Sequence, residues 1–188
     1  MKHFRHKQIF ALLAIGIFLC SCNLFVEKDI DFIPEGAQVI EMDKAKLTMD
    51  DGDSFFYDSL GIRVLGMDTP EIAHPEHGFD EDQAYGREAE ALTALIFEGA
   101  GNVSYLAFQK DGYGRMLAHV FIDGDLLSIK LIRAGLAYET VSHYGDNGFP
   151  QLAERILKAA EESQTKEFIP PHQWRRANRK AVEEQPGN

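Results

Sequence analysis

Turn signals built on aspartate and glycine cut this chain into short runs, and that punctuation constrains the fold more than any other feature. They are Asp50-Asp51-Gly52-Asp53, Asp58-Ser59-Leu60-Gly61, Asp111-Gly112-Tyr113-Gly114 and Asp123-Gly124-Asp125. Asp-Gly accepts the left-handed backbone of a tight hairpin, so apolar runs on either side of such a turn pair antiparallel. Residues 39–42, 46–49, 54–57, 62–67, 103–108 and 116–122 read as strands. Helical spacing appears over 84–97, with Leu92, Leu95 and Ile96 in phase and Gly99 and Gly101 at the end. It appears again over 126–134, ended by Gly135, and over 150–164, where Leu152, Ile156, Leu157 and Ala160 share one face. The order is several strands, a helix, two strands and two helices. No long alternation of strand and helix occurs, which excludes a doubly wound parallel sheet. The expectation is an α+β domain, mainly a small twisted antiparallel barrel with helices packed on it. The remainder of the chain, polar and broken by prolines, reads as a loose tail.

The N-terminus is an address rather than a fold. Lys2, Arg5 and Lys7 precede an apolar run over 9–19. Such a run has the length of a signal-peptide core and is too short to span a bilayer. It ends in Leu19-Cys20-Ser21-Cys22, which resembles a bacterial lipoprotein signal. The small residue needed before the acceptor favours Cys22 over Cys20 as the lipidated cysteine, with a plain secretory signal as the alternative reading. The expected organisation is a signal peptide over 1–21, a lipidated Cys22 and tether over 22–36, a domain over 37–175 and a polar tail over 176–188. The protein would then be extracytoplasmic and held on a membrane of the cell envelope by its acyl chains. Cys20 and Cys22 are the only cysteines, so the domain has no disulfide and no thiolate metal site. The formal charge of the 188-residue chain is -11, and removing 1–21 with its three cations makes it -14. That balance argues against a histone-like or repressor-like binder, but not against an enzyme with a few cations in one pocket.

Three segments carry residues able to do chemistry. Asp51-Gly52-Asp53-Ser54 is a turn with two carboxylates. In the segment from Arg63 to Glu71, Arg63 interrupts an apolar strand, where a charge is costly unless paired. That strand runs into Asp68-Thr69-Pro70-Glu71, and Pro70 stiffens the backbone between the two acids. Tyr113-Gly114-Arg115 places an arginine at the start of the next strand. Two carboxylates can hold a hard divalent cation through oxygen, and a third can take a proton from water. Two arginines can grip phosphate oxygens with bidentate, charge-assisted bonds. Phosphodiester hydrolysis needs that combination.

These motifs, in this order, resemble the thermonuclease (staphylococcal nuclease) family over about residues 38–164. The resemblance rests on Asp51-Gly52-Asp53-Ser54, on Arg63 with Asp68-Thr69-Pro70-Glu71, on Asp111-Gly112-Tyr113-Gly114-Arg115 and on the segment from Leu131 to Ala137. It implies an OB-fold barrel of five strands with three helices. It also implies a calcium-dependent endonuclease acting on DNA and RNA with little sequence preference and leaving 3′-phosphate ends. Carried over by position, Asp53 and Asp68 are calcium carboxylates, and Thr69 contributes its backbone carbonyl. Glu71 is the general base, Arg63 and Arg115 bind phosphate, and Tyr113 lines the nucleotide pocket. The partners implied are single-stranded or frayed DNA and RNA, met by a monomer. Gly112 stands where the staphylococcal enzyme has a phosphate-contacting lysine, and Glu76, Asp80, Glu81 and Asp82 make the loop after Glu71 acidic. Both changes predict weak substrate binding with a shallow salt dependence. The competing readings are a catalytically silent OB module that binds oligonucleotide or protein, and a surface lipoprotein that adheres through its acidic face.

Other residues are set apart from this site. His74 and His77 read as part of a solvated acidic loop, with a second metal site as the alternative. His119 reads as a packed strand residue. Trp174 with Arg175, Arg176, Arg179 and Lys180 reads as a basic patch on a solvated tail with one docked Trp.

Overall fold

Side-chain alternation along Leu60–Val64 orients the whole sheet. Ile62 and Val64 point into the core at 0% and 2% exposure, and Arg63 between them points into a cleft. A computed structural model describes residues 27–179. The signal peptide, Cys22 and residues 180–188 lie outside the described residues.

The strands are β1 (Val39–Glu41), β2 (Leu47–Met49), β3 (Ser54–Tyr57), β4 (Leu60–Val64), β5 (Met67–Asp68), β6 (Val103–Lys110), β7 (Met116–Ile122), β8 (Asp125–Leu126) and β9 (Tyr138–Glu139). The helices are α1 (Gly86–Gly99), α2 (Leu127–Arg133), α3 (Val141–Tyr144), α4 (Pro150–Glu161) and α5 (Pro171–Asn178). The main sheet runs β1-β6-β7-β4-β3-β2, with β8 added to β7, while β5 and β9 form a separate ladder. This is the expected OB-like α+β architecture, a curled half-barrel with helices against it. Every ladder is antiparallel except β4 with β7, which is parallel. A crossover through α1 and β6 separates those two strands, long enough to bring the chain back in the same direction.

The register assembles the site. Ser54 of β3 sits opposite Arg63 of β4, and Arg63 opposite Leu117 of β7. Arg115 lies two residues before Leu117, so strand alternation brings it toward the same face as Arg63. The opposite face is the core, where Phe55, Ile62, Val64 and Phe121 meet Leu127, Leu131, Leu152 and Ile156. Phe55 packs edge-on against Phe97 of α1, with ring centroids 4.9 Å apart.

The strand expected over 62–67 is broken in two. Gly66 adopts φ +86° and lies against Ile156 of α4, which turns the chain between β4 and β5. Tether residues 27–36 pack on the domain. Asp29 is buried, accepts from the Leu126 amide at 2.7 Å and pairs with Arg155. The expectation of a loose C-terminal tail is corrected, because residues 171–178 form α5. Its double proline supplies the start, since proline at the first helical position loses no hydrogen bond.

Candidate active site

The site is a local consequence of an Asx turn. Asp51 Oδ1 accepts from the amides of Asp53 at 2.8 Å and Ser54 at 2.6 Å. Gly52 has no room for a side chain, since a Cβ there would lie 2.7 Å from Thr69 Oγ1 and 2.9 Å from the Ala89 Cβ. Its carbonyl accepts from Thr93 Oγ1 of α1 at 2.8 Å. This turn delivers Asp53 inward at 1% exposure. Asp53 Oδ2 accepts from the Thr69 amide at 2.8 Å, and Oδ1 accepts from the Ser54 hydroxyl at 3.2 Å. The Arg63 guanidinium spans two carboxylates, pairing with Asp53 and with Asp68 Oδ1 at 2.5 Å.

The loop after β5 holds Glu71 by its backbone. Gln83 donates its amide to the Glu71 carbonyl at 2.8 Å and accepts the Glu71 amide on Oε1 at 3.2 Å. The first residue of α1, Gly86, packs directly on that loop, where a Cβ would fall 2.2 Å from the Glu71 carbonyl oxygen.

Arg115 is fixed by a second Asx turn. Asp111 Oδ1 accepts from the amides of Tyr113 and Arg115, both at 2.9 Å, and Oδ2 accepts from Arg115 Nε at 2.9 Å. Arg115 Nη1 then reaches Ser54 Oγ at 3.3 Å, and Arg63 Nη1 reaches the same oxygen at 3.5 Å. One hydroxyl thus lies between both arginines. Tyr113 stands at the rim, 77% exposed, with its ring 5.6 Å from Arg115 Cζ.

The structure therefore brings Arg63, Asp68, Glu71 and Arg115 to the lining of one cleft, with Asp53 and Thr69 buried behind them and Tyr113 at the mouth. The cleft measures about 1250 Å³. Cys22 lies outside the described residues.

Sequence reasoning missed Arg175. Its two Nη atoms each donate to an Asp68 oxygen at 2.9 Å, and Nη1 also bonds Glu71 Oε1. Taking the patch around Trp174 as part of a solvated tail is corrected to this extent: Arg175 enters the pocket from α5, while Trp174 docks on Phe79 with ring centroids 5.5 Å apart. The signal available was the pair of prolines before the basic run. His74 also belongs to the pocket wall. Its ligand atoms and those of Asp50 and Asp51 lie within 4.8 Å of one another. His119 is packed in β7, buried, with Phe149 edge-on to its ring at 5.1 Å.

Burial dominates the electrostatics. It raises Asp51 and lifts Asp53 well above the usual carboxylate range, even with Arg63 alongside, because neighbouring carboxylates add to it. Burial raises Glu71 as well, helped by the Asp53 charge and opposed by Arg175 and Arg63. At Asp68 the same burial is outweighed by Arg63 and Arg175, so its acidity increases. Burial alone would lower Arg63, but Asp53 and Asp68 outweigh it and hold the guanidinium charged. Among the described residues, Asp53, Asp68 and Glu71 share only the two guanidinium groups of Arg63 and Arg175, so carboxylates outnumber the cations paired with them. Thr69 Oγ1 is buried among these groups without a hydrogen-bond partner among the described residues. An all-oxygen donor set with unbalanced negative charge fits a hard divalent cation.

A sequence model of the family described as "Staphylococcal nuclease homologue" matches residues 61–168. The chain is 34% identical over 119 residues to the thermonuclease of Staphylococcus hyicus, covering 61% of this chain and 66% of that one. It is 31% identical over 119 residues to the thermonuclease of Staphylococcus intermedius, covering 61% and 68%. With endonuclease YncB of Bacillus subtilis it shares 33% identity over 92 residues, covering 45% and 42%. The chain thus spans about two thirds of the two thermonucleases and less than half of YncB.

Proposed function

The chain belongs to the staphylococcal nuclease family, and from that premise we propose that it is a calcium-dependent nuclease. It would hydrolyse phosphodiester bonds of DNA and RNA with little sequence preference and leave 3′-phosphate ends. The observation that carries this is the convergence of Arg63 and Arg115 on Ser54 Oγ at the edge of the buried Asp53–Asp68–Glu71 cluster. A phosphate placed there meets two guanidinium groups fixed before it arrives, which costs little reorganisation when charge grows in the transition state.

Asp53, Asp68 and the Thr69 carbonyl would hold the divalent cation, which supplies Lewis-acid polarisation of a phosphoryl oxygen. Glu71, raised by burial, would accept a proton from attacking water, a role supported by the rule that a base works best with its pKa moved toward the operating pH. The new bond joins water oxygen to phosphorus, and the bond from phosphorus to the 5′ oxygen breaks. Arg115 neutralises charge on the phosphoryl oxygens, with its own aim set by Asp111.

The test is cleavage of single-stranded DNA with calcium, magnesium or EGTA, by the wild type and Glu71→Gln. Calcium-dependent cleavage that Glu71→Gln reduces by at least about a hundredfold is expected, the scale of a lost general base. Folded protein that binds the strand at millimolar calcium without cutting it would make the chain a binding module instead.

The location proposed with this activity is the cell envelope, with Cys22 lipidated and the domain acting as a monomer. Its support is the order of charges, apolar run and cysteines at the N-terminus. Incorporation of labelled fatty acid, lost in Cys22→Ala, checks the anchor, and gel filtration of the unlipidated protein checks the monomer.

A further inference from the structure

Arg175 lies beyond the residues matched by the family, on a helix that begins after them. Both Asp68 oxygens already hold guanidinium protons. Oδ1 takes Arg63 Nη2 at 2.5 Å and Arg175 Nη1 at 2.9 Å, and Oδ2 takes Arg175 Nη2 at 2.9 Å. Glu71 Oε1 is bonded by the same Arg175. Three of the roughly four lone-pair sites of the Asp68 carboxylate are thus taken, so a divalent cation that uses more than one of them displaces part of this set. Arg63 is strand-borne and also tied to Asp53, whereas Arg175 arrives on a short helix of eight residues.

The docking of α5 is shallow. Of its residues only Pro171 is buried. The rest of its attachment is ring contact and a few polar bonds. Trp174 lies against Phe79, Arg179 Cζ sits 5.2 Å from the Phe79 ring centroid, and His172 stacks on His143 at 6.0 Å. The segment before it is tied by Gln83 Nε2 donating to the Ile169 carbonyl at 2.5 Å and Tyr138 Oη donating to the Phe168 carbonyl at 2.9 Å. The bidentate ion pair of Arg175 is the strongest directional contact that α5 makes, because charge-assisted forked pairs exceed neutral contacts of this kind.

We propose that α5 is a latch displaced by the divalent cation: Arg175 occupies the cation's place on Asp68 and ties up Glu71 beside it, and ion binding releases the helix from the pocket. The proposal rests on the metal-dependent nuclease reading above. It gives the chain a tethered internal competitor, so that half-saturation by metal is set by α5 as well as by the ligands.

The chain has one tryptophan, Trp174, next to Arg175, so its fluorescence reports α5 directly. Calcium is titrated into the full chain by calorimetry and by Trp174 emission, for the wild type, Arg175→Ala, Arg175→Lys and Arg176→Ala. Arg176 lines the same cleft but forms no ion pair among the described residues, so it controls for loss of a nearby charge. The expected result is a change in wild-type Trp174 emission whose midpoint matches the calorimetric one. Arg175→Ala should bind calcium about tenfold more tightly, the factor expected when a competing forked pair of modest net strength is removed. Arg175→Lys should lie between, because an ammonium cannot fork across both oxygens, and it serves as the main comparison if Arg175→Ala melts early. Wild-type emission unmoved at saturating calcium overturns the latch. So does a gain in Arg176→Ala equal to that in Arg175→Ala. Metal-dependent cleavage with silent Trp174 sinks the latch alone, whereas no heat of binding in any variant, together with no cleavage, sinks the nuclease reading with it.

Discussion

At the scale of single residues, the two site arginines are held differently, and their losses should differ in kind. Arg63 bridges Asp53 and Asp68 inside the fold. Removing it strands buried carboxylates, and Arg63→Ala should cost about 3–5 kcal/mol of stability, the scale of breaking a buried pair. Arg115 spends only Nε on Asp111 and is about a third exposed. Arg115→Ala should lower kcat by about 10²–10³ at nearly unchanged melting temperature, because one preorganised cation is lost while a partly solvated pair adds little stability. Cleavage at near the wild-type rate would remove Arg115 from the transition-state contacts. His119 gives a pH prediction of its own. Burial pushes its pKa down to about 4, and neither ring nitrogen has a partner among the described residues. Below about 6.5 the unfolded chain takes up a proton that the folded one refuses until about pH 4, so stability is full above that range and falls as pH drops through it. Between pH 7 and pH 5 this amounts to about 2 kcal/mol. Urea melts of wild type and His119→Leu should diverge by that amount over the interval, and a difference constant with pH would contradict the buried neutral imidazole.

At the scale of elements, the site depends on how closely α1 approaches the Glu71 loop. Gly86 opens α1 with its Cα against the Glu71 carbonyl, where a Cβ would sit at 2.2 Å. The obstacle is backbone, so it cannot rotate aside. Gly86→Ala should cost about 1–3 kcal/mol, as overpacking does, and should reduce kcat further than that loss of fold alone explains, because Glu71 moves. Gly112→Ala is the control, since nothing lies within 4 Å of its would-be Cβ. Equal effects on melting and turnover in the two variants would refute the coupling. Elements were legible where one local rule decided them. Short apolar runs between turns gave β1 to β4, β6 and β7 but not β8 or β9, and Gly135 closed α2. The sequence did not reveal the parallel pairing of β4 with β7, because that register is settled by everything the chain does between Leu65 and Arg115. It did not reveal α5 either: Pro170-Pro171 both breaks and starts helices, and the choice rests on contacts with Phe79, Asp68 and Glu71, distant in sequence. The Asp53, Arg63, Asp68, Glu71 and Arg115 set was readable as motifs, whereas Ser54 as their shared contact and Gln83 as the clamp on Glu71 depended on strand register and loop path.

At the scale of the whole molecule, a strongly acidic chain must hold a polyanion through a few local cations. The formal charge is -11, and the cleft carries Asp50, Asp51, Asp68 and Glu71 on the same walls as its arginines. Arg63 and Arg175 are already neutralised by pocket carboxylates, so phosphate contacts with them add little to the salt dependence, and Arg115, which gives only its Nε to Asp111, Arg176 and Arg179 are the cleft cations left to set it. Each phosphate neutralised on a single strand contributes about -0.7 to the slope of log affinity against log salt, so three such contacts predict a slope of about -2. Anisotropy of a labelled single strand, titrated with Glu71→Gln in EGTA across a range of potassium chloride, measures it with α5 in the pocket. Calcium that releases α5 takes Arg176 and Arg179 out of the cleft with it and should flatten the slope toward about -0.7. In EGTA, Arg176→Ala with Arg179→Ala should flatten it by about 1.4, which identifies α5 and the residue that follows it as the source. A slope steeper than about -5 would require several more phosphate contacts than the cleft has free arginines, and would move the binding surface elsewhere. A shallow slope also bears on substrate choice, since weak backbone attraction cannot offset the work of opening a duplex, so single-stranded or frayed ends should be cut in preference to long paired DNA.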